Sequence, residues 1–100
     1  MYEELTPEEV ERLVRNHTPL SIIDVREPFE FAGGHIPGAI NISVNEIPNR
    51  IGEINKEQEH IMVCQSGNRS DVASAILSAN GFKVKNMAGG MMNWHGPIER

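Results

Sequence analysis

One cysteine occurs in the chain. Cys64 closes the apolar run His60-Ile61-Met62-Val63 and is followed by Gln65-Ser66-Gly67-Asn68-Arg69-Ser70. A buried strand, a small polar loop and a helix start in that order can curl several backbone N–H groups toward one point. The N-terminus of the following helix adds partial positive charge there. Gly67 gives the loop the conformational freedom that a tight closure needs. A sulfur at the centre of such a cradle is favoured as the thiolate, because cysteine pKa falls in electropositive surroundings. The chemistry on offer is nucleophilic attack by a sulfur anion. The alternative is an ordinary strand-to-helix turn around a buried, inert cysteine, and spacing alone does not exclude it.

The elements that would position this loop follow from the apolar pattern. Thr6-Pro7-Glu8-Glu9 starts a helix, with Thr6 as N-cap, Pro7 in the first turn and Glu9 placed for a capping box. Val10, Leu13 and Val14 give it an apolar stripe, and Asn16-His17-Thr18-Pro19 ends it. Leu20 to Val25 reads as a buried parallel strand. Glu27 to Phe31 forms a short helix stopped by Gly33-Gly34, and Ala39 to Ile42 a second strand. Val44, Ile47, Ile51 and Ile54 have helical spacing, with Pro48 early in that stretch. His60 to Val63 is a strand, and Ser70 to Asn80 a helix with Val72, Ala73, Ile76 and Leu77 on one face. Asn80-Gly81 closes that helix. Phe82 to Asn86 is a last strand, and Gly89-Gly90 opens a short helix carrying Met91, Met92 and Trp94. Alternating strands and helices predict an α/β sandwich with a mainly parallel sheet. Ligands in such sheets sit outside the C-terminal strand ends. Asp24-Val25-Arg26 and the Cys64 loop both fall at such ends.

These two segments resemble the markers of the rhodanese family. Cys64-Gln65-Ser66-Gly67-Asn68-Arg69-Ser70 is similar to the family's active-site loop, C-x-x-G-x-R-S/T. Asp24 to Ala39, DVREPFEFAGGHIPGA, is similar to D-x-R-x-x-x-E-F/Y-x-x-G-H-I-x-G-A. Ala88-Gly89-Gly90 followed by Trp94 resembles the family's ending. The likeness runs from about Leu5 to Trp94 and implies a three-layer, rhodanese-like sandwich whose central sheet is flanked by helices. It also implies a sulfurtransferase. Cys64 would take sulfur from a small sulfur-containing anion such as thiosulfate, or from a persulfide, and hand it to cyanide, a thiol or a sulfur-relay protein. Gln65, Ser66, Gly67, Asn68, Arg69 and Ser70 would form the substrate loop, with Asp24, Arg26, Glu30 and His35 in support. No metal or organic cofactor is implied.

Several points stay open at this level. Asp24 and Arg26 lie two apart and can share a face as a salt bridge that can extend to Glu30. Arg69 can face the loop centre or pair with a carboxylate. Gln65 and Ser66 carry no charge, unlike the basic residues that some thiosulfate-using relatives have there. His35 suits a backbone bond in its turn better than a general base. Met87, Met91, Met92, Trp94, Phe29 and Phe31 can cover the core or form an apolar rim beside the loop. Two rival functions remain. A phosphatase or arsenate reductase would use the same cradle, but Cys64 to Arg69 is C-x4-R, one residue shorter than the C-x5-R of tyrosine-phosphatase-like enzymes. A sulfur carrier or interaction module would hold a persulfide without turning over small donors.

Composition narrows the classes further. The 100 residues suit a single domain spanning 1–100, with 39% apolar and 23% charged residues. A net charge of −5 argues against nucleic acid or an anionic membrane as partner. No apolar run approaches a membrane span. The acidic start Met1-Tyr2-Glu3-Glu4 is unlike a signal peptide and leads to the expectation of a cytoplasmic protein. His17, His60 and His95 have no metal-ligand spacing to Cys64. The Asn-x-Ser/Thr patterns at Asn16, Asn41 and Asn68 are then accidental, and Glu53 to Glu59 reads as a solvated helix end and turn.

Overall fold

The computed structural model describes residues 2–100. Five parallel strands form one sheet in the order β1-β5-β4-β2-β3, where β1 is Glu3–Leu5, β2 Ile22–Asp24, β3 Ile40–Asn41, β4 His60–Val63 and β5 Val84–Met87. The helices are α1 (Pro7–Arg15), α2 (Pro28–Ala32), α3 (Ile47–Arg50) and α4 (Asn68–Ala79). Three-residue 3-10 turns, Val44–Glu46 and Ile51–Glu53, flank α3, and a third spans Met91–Asn93.

Burial follows the sheet order. Every residue of β2 and β4 is buried, as continuous apolar runs in central parallel strands require. The edge strands β1 and β3 are short and largely exposed, which limits stray pairing. Two apolar clusters sit on the two faces. Ile23 and Met62 meet Ile47, Ala73 and Leu77 from α3 and α4 on one face. Ile22, Ile61, Val63 and Met87 meet Val10 of α1 and Trp94 on the other, with Leu13 and Val14 packed against them. The result is the α/β sandwich expected from the alternating pattern, in the three layers that the resemblance implies.

The local signals act as expected at both long helices. Thr6 Oγ1 accepts from Glu9 N (3.1 Å) and Glu9 Oε1 accepts from Thr6 N (2.8 Å), a complete capping box. At the end of α4, Gly81 N and Phe82 N donate to Ser78 O and Leu77 O, a glycine-closed Schellman turn. At the end of α1 the same pair of bonds forms around His17, whose φ is 55°.

The bounds of β2, β3 and α2 shift by a residue or two from the sequence reading, and four elements differ more. Strand β1 was not expected: Glu-Glu-Leu has no strand pattern, and it exists because it pairs with β5. The Val44–Ile54 stretch breaks into two 3-10 turns around the four-residue α3 instead of one continuous helix. Helix α4 begins at Asn68 and buries Ser70, Ala73, Ser74 and Leu77, leaving Val72 54% exposed. The rotation of α4 is set by the loop before it, which draws Ser70 inward. Finally, β5 starts at Val84, because Phe82 is still held by the α4 C-cap.

Candidate active site

The Cys64 loop grows out of β4 at the C-terminal edge of the sheet. Gly67 is the N-cap of α4 and adopts φ 102°, a left-handed conformation that a side chain would strain. It turns the backbone so that Gly67 N donates to Cys64 Sγ at 3.0 Å. The Ser70 hydroxyl lies 3.2 Å from Gly67 O and closes the loop on itself, and its single proton can turn to that carbonyl or to the Cys64 sulfur. Cys64 and Ser70 are fully buried, while Gln65, Ser66 and Asn68 are exposed.

Burial alone would push the Cys64 thiol up. Hydrogen bonding from the Ser70 side chain and from the backbone N–H groups of Ser70, Gly67 and Ser66 outweighs it, and the thiol is held below its ordinary value. These donors are the first turn of α4 and the loop before it, so the helix N-terminus is aimed at the sulfur. The arrangement favours a thiolate, and it would equally favour negative charge on a second sulfur attached to it.

A second segment clamps the loop from beneath. Met91 N donates to Cys64 O (2.8 Å) and Met92 N to Gln65 O (2.9 Å). Gly90, at φ 63°, makes this approach possible: a Cβ there would lie 2.5 Å from Cys64 O and from Gln65 C and O. In the sequence Gly89-Gly90 reads as the opening of a short helix and as a family marker, and its contact with the loop is a feature of the folded chain.

The charged residues divide into two pairs. Asp24 and Arg26 form a buried ion pair, with Arg26 Nη2 2.8 Å from Asp24 Oδ2 and Nε 3.0 Å from Oδ1. Arg26 Nη2 also donates to Gly34 O (2.8 Å), tying the β2 end to the turn after α2. Glu30 does not join that pair. Its two oxygens take Arg69 Nη1 and Nη2 at 2.6 and 3.0 Å, a bidentate contact. The open question about Arg69 is thereby answered: it pairs with a carboxylate. The guanidinium, aided by the Glu27 N–H, holds the Glu30 carboxyl at about 2. His35 is a turn residue, with Nδ1 2.7 Å from Phe31 O and its ring stacked 3.7 Å from that of Phe31.

Asn41 and Ser43 were not singled out as site residues, yet they complete the β2 end. Asn41 Nδ2 donates to Asp24 O (3.0 Å) and Arg26 O (2.8 Å), and Ser43 Oγ to Arg26 O (3.2 Å). Nothing in the local sequence signals this, because their partners lie 15 to 17 residues away. Of the apolar residues near the loop, Met87 and Trp94 are core, whereas Phe29 and Met92 are 77% and 63% exposed. Two adjoining grooves of about 370 and 350 Å³, lined by Val14, His17 and Pro37 among others, lie near the N-terminal ends of the strands, away from Cys64.

A strand-ending cysteine cradled by amides, with a paired arginine five residues on, can be matched to known proteins. The family model for the rhodanese-like domain matches residues 6–97. The chain belongs to the rhodanese-like family. Among its rhodanese-like relatives, YtwF of Bacillus subtilis, a putative sulfurtransferase, is 43% identical over 77% of this chain and 75% of its own. YrkF of Bacillus subtilis, a putative sulfur carrier protein, is 37% identical over 96% of this chain, which spans about half (52%) of YrkF. The rhodanese-like fold is seen again in the crystal structure of SSP1007 from Staphylococcus saprophyticus. That protein is 32% identical, with TM-score 0.92 over 98% of this chain and 99% of that one.

Proposed function

We propose that this rhodanese-like chain is a sulfurtransferase whose Cys64 carries the transferred sulfur as a persulfide. The observation that carries the reading is the Gly67 N–H to Cys64 Sγ bond at 3.0 Å, within a loop that holds the thiol below its ordinary value. In the first half-reaction the Cys64 thiolate attacks the outer sulfur of the donor. With thiosulfate, the new bond is Cys64 S–S, the donor S–S bond breaks, and its electron pair leaves with sulfite. With a persulfide R–S–SH, the leaving group is the thiolate R–S⁻ and Cys64 becomes Cys–S–SH. In the second half-reaction, cyanide or a thiolate attacks the terminal sulfur. Thiocyanate or a new persulfide departs, and the Cys64 thiolate returns to its cradle. The amides of the loop stabilise the anion at both stages, which is transition-state and intermediate stabilisation by fixed dipoles.

The supporting residues act at a distance in this reading. Arg26, Asp24 and His35 fix the neighbouring turn, and Glu30 fixes Arg69 and through it the loop. A chain with one free cysteine suits a reducing compartment, and the cytoplasm is its natural place. No helix among the described residues is long and apolar enough to cross a membrane.

Intact mass after treatment with thiosulfate, and separately with a small persulfide, tests the proposal. The expected result is a gain of about 32 Da, removed by cyanide or dithiothreitol and absent in Cys64→Ser. No gain with either donor would overturn it. The similarity to YrkF favours a second reading, a carrier that loads but does not turn over. Steady-state production of thiocyanate separates the two: an enzyme sustains it, and a carrier stops after one equivalent.

A further inference from the structure

We propose that the face around Cys64 is a docking surface for a protein partner that presents its sulfur-accepting cysteine between apolar side chains within a basic surround. This rests on Cys64 as the persulfide carrier, and it assigns the class of acceptor.

The first observation is a charge asymmetry along the strand axis. At the C-terminal edge, Glu8 lies in the first turn of α1, Glu27 caps α2, Glu46 lies in the turn after β3 and Asp71 in the first turn of α4. The cations beside the loop, Arg26 and Arg69, are consumed by Asp24 and Glu30, and Arg100 is bonded to Gly33 O in the turn after α2. Arg50 is shared between Glu46 and Glu53. Glu27 is close enough to act on the Arg69 charge, as is Cys64 itself. Lys56 and Lys83 lie at the other end, Lys56 over the Phe82 ring after α4 and Lys83 just before β5. Four acids against Arg100 leave an acidic excess on the surface that meets an incoming acceptor, although the sulfur it shields sits in an anion-favouring loop.

The second observation is apolar exposure on both flanks of that loop. Phe29, 77% exposed, precedes Glu30, whose carboxylate grips Arg69. Met92, 63% exposed, is bonded through its N–H to Gln65 O. Large apolar side chains held exposed by rigid contacts to a reactive loop mark an interaction surface. Both sit on segments bonded to the loop that holds the buried Cys64, so a macromolecular thiol docking there would pack on them. Charge complementarity then selects the partner, because an acidic rim speeds and orients the approach of a basic surface. A second copy of this chain would bring acidic rim to acidic rim. The step is Cys64–S–SH plus partner–S⁻ giving Cys64–S⁻ plus partner–S–SH.

The test uses Cys64 persulfide, loaded with a small persulfide and verified by intact mass, so failure to load is seen first and overturns the parent reading together with this one. The acceptors are capped pentapeptides Lys-Leu-Cys-Leu-Lys, Glu-Leu-Cys-Leu-Glu and Lys-Ser-Cys-Ser-Lys, with rates corrected for each thiolate fraction. The expected order places Lys-Leu-Cys-Leu-Lys first, at least about tenfold above the acidic peptide at low ionic strength and converging with it in high salt. Asp71→Asn with Glu46→Gln should shrink that ratio. Phe29→Ser with Met92→Ser should remove the advantage of leucine over serine. Each peptide rate is expressed relative to transfer to 2-mercaptoethanol by the same variant, which cancels any change in Cys64 itself. Equal corrected rates for basic and acidic peptides, or a leucine advantage that survives loss of Phe29 and Met92, would overturn the proposal.

Discussion

Strands β2 and β4 lie side by side and end level with each other, Asp24 opposite Val63. Each is followed by a loop and a helix, yet the two ends are built in opposite ways. At β2, side-chain charge closes on itself. Asp24 takes Arg26, Arg26 takes Gly34 O, and the Arg26 carbonyl is filled by Asn41 and Ser43. At β4 the loop residues before Arg69 are neutral, and the backbone N–H groups turn toward a sulfur instead. One end spends its polar groups on structure, and the other keeps them for an anion. A topological switch point offers two such positions, and the residue types decide which becomes the site.

Breaking the β2 end should cost stability most. Asp24→Ala leaves Arg26 charged and buried without its partner, and should lower unfolding free energy by about 3–5 kcal/mol, read from the denaturant midpoint. A stable Asp24→Ala protein that no longer loads sulfur would reverse the roles assigned to the two ends. Next comes the clamp beneath the β4 loop. Gly90→Ala places a methyl 2.5 Å from the Cys64 and Gln65 backbone at a positive φ. It should cost about 1–3 kcal/mol and slow sulfur loading, since the amides lose their aim.

The Glu30–Arg69 pair joins the two ends, and its effect should be smaller. Glu30 titrates at about 2 in the folded chain against an ordinary 4.5, so its contribution is complete above pH 4.5 and is lost as pH falls toward 2. Arg69 is partly exposed, and after solvent screening the contribution is about 1–2 kcal/mol. Stability curves at pH 7 and pH 3 should therefore differ less in Glu30→Gln than in the wild type. Identical acid sensitivity would remove the pair from the account.

The sequence reading and the structure agree best where the physics is local. The capping box at Thr6 and Glu9, the glycine stop at Gly81 and the Val63-Cys64 strand end each depend on residues within a few positions. Contacts across the fold were not legible in that way. Arg69 finds Glu30 39 residues away, and nothing near Arg69 chooses between a carboxylate and the loop centre. Strand β1 owes its conformation to β5, more than 80 residues on. The inward face of α4 was misjudged at Val72 because the loop, and not the apolar pattern, sets the helix rotation. His35 and the Asp24–Arg26 pair were placed by the family resemblance, and the structure gives them bonds that fit a framework.

The central claim is that the β4 end holds the Cys64 thiol below its ordinary value through its own amides and Ser70. A pH titration of thiolate ultraviolet absorbance, taken as the difference from Cys64→Ser so that the Tyr2 phenol cancels, tests it directly, because the chain has one cysteine. The wild type should titrate below an ordinary thiol, and Ser70→Ala should shift the curve upward, with sulfur loading slowed at neutral pH and restored in alkali. A Cys64 midpoint at or above the ordinary value, unmoved by Ser70→Ala, would contradict the account.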